Sequence, residues 1–301
     1  MGLALIITAF GCSVKQPPGE KKLDTKIHTE STAAENKSVV AQGARIEKIA
    51  GDFEFAEGPA VDPEGNVYFI DIRPNRIHRC SVDGTVSTFY DDIPGGANGL
   101  YFDLYGDLLV CAWLGKKVIS VTMNREVNVL ADSYKGKPLI SPNDLWVGPG
   151  GGIYFTDPNN NTDEGRFVYY IIPERNEVIW MKDVTYKPNG LVGTPDGKQL
   201  YVIEYHAGRT YVHNIDADGT LTGKKLFAPD GEDGLTIDSE GNVYITNKTD
   251  LAVYDRSGKK IETIEFPERP TNVCFGGRDR KMLFVTTVHS LYSLRMRVKG
   301  T

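Results

Sequence analysis

From about residue 57 onward the apolar and polar positions of this chain repeat one short figure. A polar residue comes first, then a small or acidic one, then a few apolar-rich positions, a turn, and a second apolar run of strand length. Six copies follow one another: EGPAVDPEGNVYFID, NGLYFDLYGDLLVCAW, NDLWVGPGGGIYFTDP, NGLVGTPDGKQLYVIE, DGLTIDSEGNVYITN and TNVCFGGRDRKMLFVTT. With Gly58, Gly99, Asp144, Gly190, Gly234 and Asn272 as equivalent points, successive copies are spaced by 41, 45, 46, 44 and 38 residues. A strand-built repeat of that period is the mark of a β-propeller blade.

The apolar runs are strands by their chemistry. Val67–Ile70, Leu200–Ile203 and Val243–Thr246 are β-branched and aromatic, and Gly, Asp, Asn or Pro bounds each of them. Helical spacing is sustained nowhere. Between the copies lie further strand pairs bent at Asp-Gly, such as NRIHRCSVDGTVSTFY and RTYVHNIDADGTLTGKKLF, which predicts four strands per blade. The sixth copy has room afterwards only for SLYSLRMRV, one strand short, and ARIEKIAG before the first copy can supply the missing strand. Such a closure leaves no open sheet edge. The expected fold class is therefore all-β, a six-bladed propeller over residues 44–301.

Upstream of residue 44 the pattern changes. MGLALIITAFGC is an apolar run ending in small residues and Cys12, too short to span a bilayer as a mature helix. It resembles a bacterial lipoprotein signal, although no Lys or Arg precedes the apolar run. The resemblance implies a signal peptide over 1–11, a lipid on Cys12, and a place in the bacterial cell envelope. Residues 12–43 are polar, rich in Lys, Glu, Ser and Thr, and without an apolar period, so a disordered tether is expected there.

Composition narrows the function classes. A formal net charge of −6 with scattered Lys and Arg argues against nucleic acid as a partner. Cys80, Cys111 and Cys274 show no C-x-x-C pair and are expected as buried free thiols. No G-x-S-x-G elbow occurs, and GPGGGI leads into a strand rather than a helix, so neither a serine-hydrolase elbow nor a phosphate loop is predicted.

The geometry of a propeller then locates the chemistry. The first strand of each blade lines the central channel, so the residue before it sits at one channel mouth. Those residues are Glu57, Asn98, Asn143, Asn189, Asp233 and Thr271, all oxygen donors. Loops after the second strands bring Asp71, Arg73, Trp113, Asp157, Asn159, Glu204, His206, Asn247 and His289 to the same rim. Converging carboxylates and amides are costly to bury dry, and either a string of channel waters or a hard cation relieves that cost. Oxygen-only donors favour Ca²⁺ or Mg²⁺ over Zn²⁺, and a wide, flexible cavity favours Ca²⁺. Mg²⁺, Mn²⁺ and Zn²⁺ remain alternatives.

EGPAVDPEGNVYFIDIRPNRIHR, ANGLYFDLYGDLLVC, GKPLISPNDLWVGPGGGIYFTDP, KPNGLVGTPDGKQLYV and EDGLTIDSEGNVYIT together resemble the gluconolactonase/regucalcin (senescence marker protein) family of six-bladed propellers, over nearly all of residues 50–298. The resemblance implies a catalytic Ca²⁺ held by Glu57, Asn143, Asn189 and Asp233 in a lactone hydrolase. Animal members carry an arginine two residues before the third-blade asparagine; this chain has Ser141, which puts sugar-lactone specificity in question. Four protein ligands would leave open positions on the ion for water and substrate. Asp233 is expected to double as general base or as nucleophile, with Glu57 holding the ion. Asn98 and Asp157 are expected to bond substrate hydroxyls, with Trp113 and His206 as an apolar or stacking wall. The rival reading is a non-catalytic, surface-tethered propeller that binds a ligand or protein partner and carries a structural ion.

Overall fold

The structure is a computed structural model and describes residues 27–29, 38–158, 167–182, 184 and 186–301. Cys12, the apolar run before it and Asn159 lie outside the described residues. Six four-stranded antiparallel sheets follow one another around a ring, as the repeat predicts. Their channel-lining strands are Ala56–Val61, Leu100–Phe102, Leu145–Val147, Pro188–Gly193, Leu235–Ile237 and Pro270–Gly276. The second strands, such as Val67–Asp71 and Leu108–Ala112, are buried along their whole length because a neighbouring sheet covers each face. Apolar clusters fill the gaps between adjacent blades. Ile70, Ile77, Leu108, Val110 and Ile119, for example, lie between blades 1 and 2.

The ring closes as the missing strand requires. Glu47–Gly51 pairs antiparallel with Ser290–Arg295 as the outer strand of the sixth sheet, Glu47 opposite Ser293 and Gly51 opposite Ser290. Thr271 adds a second clasp between the last and first blades, its Oγ1 donating to Ala56 O at 2.7 Å. Cys80, Cys111 and Cys274 are free and buried.

Ordered packing begins ahead of Ala44. Val39 and Val40 are buried among Phe266, Met296 and Val298. The Glu262 carboxylate accepts Ser38 Oγ at 2.6 Å and Val39 N at 2.9 Å. Further upstream, Ile27–Thr29 adds a fifth strand to the edge of the fifth sheet, opposite Glu262–Ile264. The stretch expected as a tether therefore includes chain that covers a blade edge, which an unpaired strand favours.

Candidate active site

The repeat sets the local geometry at the channel mouth. Neighbouring inner strands approach so closely that in four of the six blades the residue after the ring position has no room for a side chain and is glycine. Gly190 donates its N–H to Asp233 O at 2.8 Å, and a Cβ there would overlap that carbonyl. Gly99 stands in the same relation to Asn143 O, at 2.7 Å. These glycines hold the ring residues of successive blades in register around one axis.

Glu57, Asn143, Asn189 and Asp233 line one pocket of about 420 Å³, together with Asn98 and His206. Glu57 is buried and its Oε2 accepts Gly58 N at 2.6 Å. Asp233 is bracketed by two donors: Asn189 Nδ2 reaches Oδ1 at 2.9 Å and Arg269 Nη2 reaches Oδ2 at 2.8 Å. Committing its amino group to Asp233 leaves the Asn189 carbonyl oxygen as the atom free to accept. The amide side chains of Asn98 and Asn143 have no hydrogen-bond partner among the described residues.

The electrostatics reflect crowding of carboxylates out of water. Burial pushes the Glu57 carboxyl well above the usual range, and the nearby Asp233 and Asp144 raise it further against the lowering effect of Gly58 N–H. Asp233 is pushed up to about 7 by burial, which Arg269 and Asn189 oppose and Glu232 reinforces. Among the described residues no group of three or more His, Cys, Asp and Glu side chains converges. The site's anionic donors are thus two carboxylates, with amide oxygens beside them. Two mutually repelling buried carboxylates with unpartnered amides at hand fit a hard divalent cation, whose charge would offset both.

Of the four expected substrate contacts, three reach the mouth. Asn98 lines both this pocket and an adjoining one of about 460 Å³ that holds Trp113, Arg73 and Ser141. His206 enters from the short 3-10 turn Tyr205–Ala207. Asp157 does not line either pocket. It is fully buried, and its carboxylate accepts the N–H groups of Ile140, at 3.0 Å, and Ser141, at 2.6 Å, which tie the loop before the third inner strand. Asp71 does the same for Glu54 and Phe55 in the first blade. These aspartates are loop clasps of the repeat rather than substrate contacts.

Three residues at the site escaped the sequence reading. Arg269 and Lys187 line the main pocket, and both stand two residues before a ring position, where the other blades have Phe55, Gly96, Ser141 and Gly231. Aligning that column would have exposed them. The third, Asp144, lies in a narrower cavity of about 170 Å³ inside the channel, where burial pushes its carboxyl up to about 7 against the N–H groups of Leu145 and Leu191.

Comparisons with known proteins agree with this architecture. A family model described as the SMP-30/Gluconolactonase/LRE-like region matches residues 55–289. A gluconolactonase of Zymomonas mobilis is 27% identical, over 85% of this chain and 82% of its own. A pentonolactonase, XacC, of Haloferax volcanii is 26% identical over 77% of this chain and 80% of its own. The solved structure of XC5397 from Xanthomonas campestris, described as a gluconolactonase, superposes with a TM-score of 0.78 at 27% identity, covering 86% of this chain and 91% of that one.

Proposed function

The chain belongs to the SMP-30/gluconolactonase/LRE-like family, and on that premise we propose that it is a divalent-cation-dependent lactone hydrolase whose reaction takes place at the channel mouth. The observation that carries the proposal is the convergence of Glu57, Asn143, Asn189 and Asp233 on one pocket. Those four residues would hold the ion, and Ca²⁺ suits an all-oxygen set of two carboxylates and two amides. Bound there, the cation supplies Lewis-acid polarisation of the lactone carbonyl.

The protein's own groups supply the rest. Asp233 takes the proton of the water that attacks the carbonyl carbon. As the ring C–O bond breaks, that proton passes to the departing ring oxygen, so one lactone and one water give one hydroxy acid. Attack by the Asp233 carboxylate itself, through an acyl intermediate, is the alternative use of the same group. Arg269 acts on Asp233 as a positioning residue: its guanidinium fixes Oδ2 and opposes the rise in pKa that burial imposes. Glu57, whose Oε2 is held by Gly58 N–H, is left to anchor the ion.

A panel of sugar and aliphatic lactones, followed by acid release with and without Ca²⁺ after exhaustive chelation, tests the proposal. Turnover that vanishes on chelation and returns with Ca²⁺ is the expected result. Cation binding without turnover of any lactone would return the protein to the class of non-catalytic propellers.

A further inference from the structure

The two acids of the mouth are met by hydrogen-bond donors, whereas two of its three bases have no acid partner among the described residues. Lys187 and Arg269 share the main pocket with Glu57 and Asp233, and Arg73 lines the adjoining one. Arg269 gives one nitrogen to Asp233, while its Nε is buried without a hydrogen-bond partner. Neither Lys187 nor Arg73 makes an ion pair among the described residues. Lys187 Nζ lies 2.6 Å from His206 Nε2, where the ammonium donates to the ring nitrogen and its charge stays uncompensated. Of the nearby acids, neither Glu204 nor Glu232 forms an ion pair with Lys187 or Arg73 among the described residues. Glu204, opposite Pro188 in the fourth sheet, accepts Tyr186 N–H at 3.2 Å, and Glu232 lies 3.5 Å from Lys248.

Once a divalent cation offsets Glu57 and Asp233, these bases leave the mouth positive, on a chain whose formal net charge is −6. A concave wall of one sign concentrates ligands of the opposite sign and rejects like charge. Resting on the lactone-hydrolase reading, we propose that the substrate is an anionic lactone, with a carboxylate or phosphate outside the ring that Lys187 and Arg73 receive while the ring carbonyl faces Asp233. The shared chemistry is a group of anionic oxygens, which both ammonium and guanidinium bind well.

Two matched pairs test this with the Ca²⁺-saturated protein: glucono-1,4-lactone against glucaro-1,4-lactone for the carboxylate, and glucono-1,5-lactone against its 6-phosphate. At least one anionic member should be preferred in kcat/KM by about tenfold or more. That preference should collapse in Lys187→Met or Arg73→Met, chiefly through KM, and shrink in about 0.5 M salt, where exposed charges are screened. Neutral lactones used as well as the anionic ones in both pairs, or a preference that survives both substitutions, would overturn the proposal and leave the lactonase reading standing. Calorimetric binding of the open-chain acids separates the two failures. If no lactone in the panel is turned over, the lactonase reading fails. Glucarate binding about tenfold tighter than gluconate, lost in Lys187→Met, would then still sustain the anionic site. Equal binding of the two would overturn it.

Discussion

Acidification should loosen a divalent cation from this mouth far more than from a site built of ordinary exposed carboxylates. In the metal-free protein Asp233 is pushed up to about 7, chiefly by burial, which Arg269 and Asn189 only partly offset. Glu57 is raised too, first by burial and then by Asp233. The sign follows from competition. A carboxyl with a raised pKa holds its proton below that pKa, the cation has to displace the proton, and affinity therefore rises with pH. A carboxyl that titrates at about 7 is roughly one-tenth ionised at pH 6 and roughly nine-tenths at pH 8. Asp233 alone then weakens the apparent Kd roughly tenfold across that interval, about 1.4 kcal/mol, and Glu57 adds in the same direction. An exposed aspartate titrating at about 3.9 would contribute nothing in this window.

Isothermal titration of chelator-stripped protein with Ca²⁺ at pH 6, 7 and 8, in two buffers of different ionisation enthalpy, reads both affinity and proton release. Near pH 7 about half a proton or more should leave per cation bound. A Kd constant within about twofold over this range, or heats that do not depend on the buffer, would refute the reasoning: the two carboxyls would then be ionised before the cation arrives.

With cation at saturating concentration, Glu57→Gln should recover most of kcat, whereas Asp233→Asn should stay depressed by the ~10²–10⁴-fold that a positioned base contributes; full recovery in Asp233→Asn would remove it from the proton transfer. His213 is buried, and burial followed by Lys224 lowers its pKa to about 4. Its contribution to stability is present above the unfolded value of about 6.5 and is lost as pH falls toward 4, so by pH 4 the parent should have lost about 3 kcal/mol relative to His213→Phe in urea unfolding. A difference between parent and variant that is the same at pH 7 and pH 4 would count against that assignment. Truncation of residues 1–43 uncovers the contacts of Val39 and Val40 and should lower Tm by several degrees, while truncation of 1–51 also strips the closing strand and should yield aggregates. Equal melting of the 1–26 and 1–51 truncations would contradict closure by Glu47–Gly51.

The blade count, the four-strand plan and the closing strand were legible because apolar periodicity and turn chemistry act locally, and the same local rule recurs six times. The convergence of Glu57, Asn143, Asn189 and Asp233 on one mouth was legible for the same reason, since the ring position is fixed once the first strand of each blade is known. Direction was not legible. A rim aspartate reads alike whether its carboxylate enters the pocket or turns back, and Asp157 turns back because two loop N–H groups, those of Ile140 and Ser141, would otherwise be left without acceptors. Val39 and Val40 were missed because two apolar residues in a polar stretch have no period. Their burial comes from the distant Phe266 and Met296, which the local pattern does not contain.

What the repeat does offer, once its register is set, is a way to find chemistry in the departures from it. The position after the ring is glycine in the first, second, fourth and fifth blades, because the neighbouring blade leaves no room, through its backbone at Gly58, Gly99 and Gly190 and through the Asn272 side chain at Gly234. In the third and sixth blades it is Asp144 and Asn272. A Cβ on Gly99 would crowd the Asp144 carboxylate, and one on Gly234 would overlap the Asn272 amide. Those two side chains therefore occupy space that the glycines of adjacent blades release, beneath the two carboxylates of the mouth. Asp144 raises the pKa of Glu57 from that position, so a repeat built for packing would also set how strongly the proposed cation is held. The column two residues before the ring behaves likewise: it is small or apolar in four blades, and where it turns basic, at Lys187 and Arg269, the pocket acquires positive charge, the feature proposed to select its ligand.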